Sequence, residues 1–253
     1  MSEITPSAED HLATARAAYS RFVRFAEQAD PRATTRLTGW KVSDLIEHVT
    51  WGMGMEAAAL SGGAAGHGDV ASRDTALGGL AAALEQFEGV SSRELITGQM
   101  VALPAASVPL GYAAPLFAFE AALHADDLAH AIGEDRGLSD AEVAACRAVI
   151  GPMLDLVAGA PPVSEAGEGV VIDLVLLSVD GTGGDRMRLS ASEQGWRRTA
   201  PDEPVPLEPA TTTMSGDERS VILFVTGRIA ADTLQVSGDP VHAERFKQYF
   251  PGP

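Results

Sequence analysis

The chain has 253 residues, enough for one large or two ordinary domains, with 45% hydrophobic and 21% charged residues, a globular balance. Its formal charge of −17 and pI near 4.6 repel nucleic-acid phosphates and anionic lipid, so neither is an expected partner. No apolar run reaches the roughly 18 residues of a membrane-spanning helix, and a single cysteine excludes an internal disulfide.

The first 160 residues read as helical. Residues 7–29 carry Leu12, Ala15, Tyr19, Phe22, Val23 and Phe25 close to helical spacing, with Pro31 beyond. Residues 42–60 form a second helix, with Val42, Leu45, Ile46, Val49 and Met53 on one face. A glycine-rich loop at 61–68 leads to a third helix over about 73–87. A long connection containing Pro104, Pro109 and Gly111 follows. The fourth helix is expected to start near Pro115, a favoured first-turn residue, and to stop near Gly133. The fifth covers 139–157, with Ser139 as N-cap and Glu142 completing a capping box.

Composition changes at 159–162, which reads Gly-Ala-Pro-Pro, and the hydrophobic period then turns strand-like. Strands are expected at 170–179, 187–192, 194–199 and 210–213, with a glycine turn at 181–184. Ser215 then caps a helix running to Gly227, with Glu218 at the capping-box position. A short strand at 234–237 and a last helix from Pro240 to Phe250 complete a small α+β unit. The expected domains are therefore 1–158, a helical bundle, and 165–253.

Glu120 and His124 stand four apart on the fourth helix, on one face and one turn apart, so both can ligate one ion. Phe117, Leu128 and Ala131 lie near that stripe, which turns the pair toward the bundle interior, where a lone carboxylate needs a cation or a partner. His48 borders the apolar face of the second helix. Two histidines and a glutamate make a frequent catalytic zinc set with an open position for water, and bundle cores hold such sites. By spacing alone the same residues can equally be ordinary helix positions.

Three segments carry a resemblance. Residues 37–48, LTGWKVSDLIEH, resemble a signature with Gly-Trp, an apolar residue, Asp-Leu and a histidine. Residues 119–133, FEAALHADDLAHAIG, resemble a second, E-x-x-x-H-x-x-D-L-x-x-A-x-G, and Gly227-Arg228 followed by Val236 to Asp239 resembles a third. In this order they are similar to the mycothiol-dependent maleylpyruvate isomerase family. The resemblance implies a DinB-like four-helix bundle followed by a small α/β sterol-carrier-protein-like domain. It also implies a divalent metal, zinc foremost, on His48, Glu120 and His124. A C-terminal arginine near the active site matches Arg228. One departure is Lys41, where the family has Ser or Thr: lysine cannot accept the capping N–H bond, although Asp44 still complements the helix dipole.

Asp127 reads either as a residue backing His124 or as a solvated helix carboxylate. His130 points to another face; His11, His67 and His242 read as surface residues; Cys146 reads as a small buried hydrophobe. Gly52 and Gly54 suit close packing or room for a ligand near His48. Arg228 reads as an anion clamp in the catalytic and cofactor-binding machinery, or as a cation at a helix C-terminus.

The expected function is a cytoplasmic, metal-dependent isomerase or S-transferase. It would use mycothiol, a low-molecular-weight thiol, as co-substrate on a small electrophilic molecule, of which maleylpyruvate is one candidate. A metal-bound thiol is a nucleophile at neutral pH, so the protein needs no cysteine nucleophile of its own. The chain is expected to work as a monomer or weak dimer. The alternatives are a thiol-independent metal-dependent hydrolase or lyase, and a non-catalytic metal-binding interaction module.

Overall fold

The computed structural model describes residues 6–62, 73–93, 98–103, 106–134, 137–158, 169–177, 184–200, 203–204 and 208–251. The chain forms two compact units, Met1–Cys146 and Arg147–Pro253. The Pro-rich break expected at 159–164, the loop after Gly62, His67 and the glycine turn at 181–183 lie outside the described residues.

The first unit is a four-helix bundle of α1 (Ala8–Ala26), α2 (Val42–Leu60), α3 (Arg73–Ser91) and α4 (Leu110–Ala131), followed by the start of α5 (Asp140–Ala158). Helix α1 packs on α4 and α3, and α2 packs on α3 and α4. The helical spacing of the apolar residues explains why: Leu12, Tyr19 and Phe22 of α1 meet Leu45, Val49 and Met53 of α2, Leu80 and Phe87 of α3, and Phe117 and Leu128 of α4 in one buried core. Each such large side chain contributes roughly 1.5–3 kcal/mol when fully buried. No described helix is long and apolar enough to cross a membrane.

The helix ends follow their local chemistry. Ser7 and Asp10 close a capping box at α1, and Ser139 with Glu142 closes the expected one at α5. Glu142 also pairs at 2.7 Å with Arg21 of α1. At α2 half a capping box survives: Asp44 accepts the Lys41 backbone N–H at 2.8 Å, while the lysine side chain returns no bond. Gly39, at φ 82°, makes the turn that delivers Trp40 and Lys41 to this helix start.

One expectation fails here. Helix α4 starts at Leu110 rather than near Pro115, which lies inside it. Pro115 is the sixth helical residue, so the Gly111 carbonyl is the one that loses its helical donor. Within the connection that precedes α4, β1 (Met100–Ala102) and β2 (Ser107–Pro109) pair antiparallel.

In the second unit five strands form one sheet, ordered β5-β4-β3-β6-β7: β3 (Val171–Leu177), β4 (Gly184–Ser192), β5 (Gly195–Arg198), β6 (Thr212–Asp217) and β7 (Gln235–Gly238). All neighbours are antiparallel except β3 and β6. Ile172, Leu174 and Leu176 bury one face of β3. On the opposite face Asp173 takes a two-pronged pair from Arg188, its cross-strand partner, with both contacts at 2.8 Å.

Ser215 does not cap a helix; β6 runs through it, and Asp217 caps α6 (Glu218–Val225) by accepting from the Ser220 N–H. The last helix is broken at Arg245 into α7 (Pro240–Glu244) and α8 (Phe246–Tyr249). That break lets Phe246 and Phe250 stack beside Phe224 and Trp196.

Candidate metal centre

Helices α2 and α4 bring the three expected ligands together. The donor atoms of His48, Glu120 and His124 all lie within 4.8 Å of one another. Glu120 Oε2 stands 3.3 Å from His124 Nε2. Ligands about 2.1 Å from one ion at tetrahedral angles are about 3.4 Å apart, so this edge already has the spacing of a zinc site. The His48 and His124 rings meet edge to face at 4.8 Å, with His48 also edge-on to Trp40 at 5.2 Å. Trp40, the tryptophan of the first signature, thus packs against the ring of His48.

Behind His124 lies a second set of contacts. Asp127 is wholly buried, and its Oδ2 is 3.1 Å from His124 Nδ1. In the tautomer that donates this bond, Nε2 keeps its lone pair on the side of Glu120. Asp127 also accepts from Arg36 Nε at 2.7 Å, and Arg36 reaches Asp126 with its other arm. Asp127 is therefore a residue that backs His124, and the solvated reading is corrected: α4 is covered on this side by the segment carrying Arg36. Burial alone lowers the His124 pKa, but hydrogen bonds and charge from Asp127 and Glu120 outweigh it and hold the imidazole above its ordinary value. Such an electron-rich, oriented imidazole fits a cation, and two histidines with a carboxylate fit zinc-type chemistry.

The three residues line one cavity of about 320 Å³ with Tyr19, Gly52, Glu56 and apolar side chains including Met55, Leu116 and Phe117. Nothing lies within 4 Å of where a Gly52 side chain would begin, so this glycine leaves open space next to the ligands. Tyr19 and Glu56 are both buried, and the Tyr19 hydroxyl is 3.0 Å from each carboxyl oxygen. Burial pushes the Glu56 pKa well above the carboxylate range; the Tyr19 bond opposes this and the charge of Glu120 adds to it. Sequence reasoning passed over this pair, although His48, Gly52 and Glu56 are spaced by four and so share one helix stripe. A carboxylate two turns from a ligand on an inward stripe was the available signal.

Arg228 belongs to the second unit. Helix α6 ends in a Schellman motif: Gly227, at φ 78°, bonds back to Phe224 and the Arg228 N–H to Leu223. The Arg228 side chain is buried, and its Nη1 donates to the Thr226 carbonyl at 2.8 Å. Lys247 Nζ reaches the Val225 carbonyl at 3.2 Å, and burial followed by the charge of Arg228 lowers its pKa. Two cations thus share the carbonyl end of α6.

Two histidines read as surface residues are buried. His11 is part of the packed face of α1, and His242 is held by the Tyr249 hydroxyl at 3.1 Å. Their neighbours in the unit, rather than their own sequence spacing, cover them. His130 is exposed, and the Cys146 thiol is buried, as expected of a small apolar residue.

Residues 12–129 match the family described as the mycothiol maleylpyruvate isomerase N-terminal domain, a span that contains all three candidate ligands. Two solved structures share the fold: one of the mycothiol-dependent maleylpyruvate isomerase, and one of a histidine-to-alanine mutant of it. Each is 20% identical, over 92% of this chain and 93% of its own, with TM-scores of 0.56 and 0.55. No curated protein sequence matches.

Proposed function

We propose, from the match of residues 12–129 to the mycothiol maleylpyruvate isomerase N-terminal domain family, a metal-dependent enzyme that uses a low-molecular-weight thiol, mycothiol, on a small electrophile. The observation that carries the reading is the convergence of His48, Glu120 and His124 on the wall of a 320 Å³ cavity. That volume suits a small molecule. A divalent ion, zinc foremost, supplies Lewis acidity that ionises a thiol near neutral pH.

The chain's own residues do the rest. Asp127, anchored by Arg36, fixes the His124 tautomer and ring angle. Met55, Leu116 and Phe117 keep the cavity wall apolar, which strengthens every charge interaction inside it. Arg228 pairs with a carboxylate of substrate or thiol through its planar fork. Addition of the thiol sulfur to an electrophilic double bond, then rotation and elimination, gives isomerisation; arrest after addition gives S-transfer.

The test is metal content of the purified protein, then turnover of maleylpyruvate and related electrophiles with and without mycothiol. Stoichiometric zinc and strict thiol dependence support the reading. Metal-dependent turnover without thiol would move the assignment to hydrolase or lyase chemistry. Absence of bound metal would remove it altogether.

A further inference from the structure

The cavity holds a further polar pair that ligand binding at His48, Glu120 and His124 does not use. Apart from those three residues, its polar lining includes Tyr19 and Glu56, and both side chains are buried. A carboxyl group has two oxygens with about four acceptor positions, and a phenol supplies one hydrogen. Both Glu56 oxygens are 3.0 Å from that single donor, the Tyr19 hydroxyl. At least one oxygen therefore keeps acceptor capacity in either protonation state. Buried acceptors of this kind are ordinarily satisfied, and no other hydrogen-bond partner of Glu56 is present among the described residues. The pair is held in place from behind: the Tyr19 ring packs edge to face on Phe87 at 5.3 Å, and Tyr19 stands on α1 while Glu56 stands on α2.

The partner for such an acceptor is a ligand N–H or O–H. A thiol built on cysteine carries an amide N–H close to its sulfur. We propose that Glu56, beside Tyr19, is a recognition subsite for the amide N–H of the thiol co-substrate, while the sulfur is directed to His48, Glu120 and His124. This rests on the thiol-using reading of the site. It assigns Glu56 to binding and to discrimination between thiols, not to the chemical step.

Two probes test it: N-acetyl-L-cysteine methyl ester, and its analogue with an ester oxygen in place of the amide N–H. Calorimetry gives the affinity of each for the metal-loaded protein. The wild type is expected to bind the amide thiol about tenfold or more tightly, the range of one hydrogen bond to a buried carboxyl. Tyr19→Phe should retain the preference, because the acceptor remains. Tyr19→Phe/Glu56→Met should lose it while binding the ester thiol as the wild type does. Removing both partners of a buried bond in favour of apolar groups of similar shape is nearly neutral for folding, and unchanged circular dichroism and metal content check this. Equal binding of the two thiols by the wild type overturns the subsite and leaves the thiol reading intact. So does a preference that survives in the double variant, or one already lost in Tyr19→Phe. If neither thiol binds the wild type, the thiol reading itself falls and the subsite falls with it.

Discussion

Asp127 and His124 stand one helical turn apart on α4, and the aspartate's Oδ2 lies 3.1 Å from His124 Nδ1. The acidic partner thus holds the back of the ring whose front faces Glu120. Replacing Asp127 with Asn removes the charge and frees the ring to turn. Such a change is expected to weaken metal binding by about 10–100-fold, whereas His48→Ala and His124→Ala should lose the ion outright. Competition against a chelator of known affinity measures this; an Asp127→Asn protein with wild-type affinity would show that Asp127 only pairs with Arg36.

Arg228 separates two roles that the local structure can serve. As a clamp for a ligand carboxylate, its loss in Arg228→Ala should lower kcat/KM by about 10²–10³-fold. Arg228→Lys should not restore it, because an ammonium cannot make the two-pronged contact. As a cation at the carbonyl end of α6, bonded to Thr226, its loss should cost at most about 1–2 kcal/mol of stability and leave turnover intact. Kinetics and melting temperature of both variants, with metal content as a control, decide between them.

Gly52 lines the cavity and has nothing within 4 Å of its missing side chain. Gly52→Ala should therefore raise the melting temperature, since glycine inside a helix is about 1 kcal/mol worse than alanine. Gly52→Leu should keep the ion yet weaken thiol binding roughly tenfold or more by filling the space. Unchanged thiol affinity in Gly52→Leu would mean that the ligand does not enter this part of the cavity.

His11 provides a pH test apart from the site. Burial holds its imidazole below the ordinary value, against the opposing charge of Asp10. The unfolded chain then takes up a proton as pH falls through about 6.5 while the folded chain resists it. The stability associated with His11 is present above that pH and is lost as pH falls through the folded value. The melting temperature should drop less between about pH 7 and pH 5 in His11→Gln than in the wild type; parallel curves would show that His11 is not the group responsible.

Much of the helical half was legible because helical spacing reports directly on which face is buried. Helix α2 begins and ends at the expected residues, and the four-residue interval puts Glu120 and His124 on one face of α4, although it does not by itself make them ligands. What was not legible depended on partners distant in the chain. Arg36, which anchors Asp127, is 90 residues from Asp126 in sequence and carries no periodic signal. Tyr19 counted among the apolar positions of α1 until Glu56 was seen opposite its hydroxyl. The burial of His11 and His242 likewise comes from surrounding elements. Ser215 looked like a cap because its local motif was sound, but pairing with β3 and β7 extended the strand past it. Pro115 misled because proline favours the first helical position, whereas here it stands inside a helix that starts at Leu110.

The ligands of the candidate centre come from two helices that lie far apart along the chain, His48 on α2 and Glu120 with His124 on α4. In the unfolded chain only the local glutamate–histidine pair remains close, and it is a poor chelator. Ligation at this centre would therefore be thermodynamically linked to closure of the bundle: an ion that prefers the native state adds RT ln(1 + [L]/Kd) to its stability, and it would do so by fastening a long loop whose ends chain entropy otherwise drives apart. The folded population of this half of the molecule would then track free metal concentration, making ion supply a determinant of how long the protein survives.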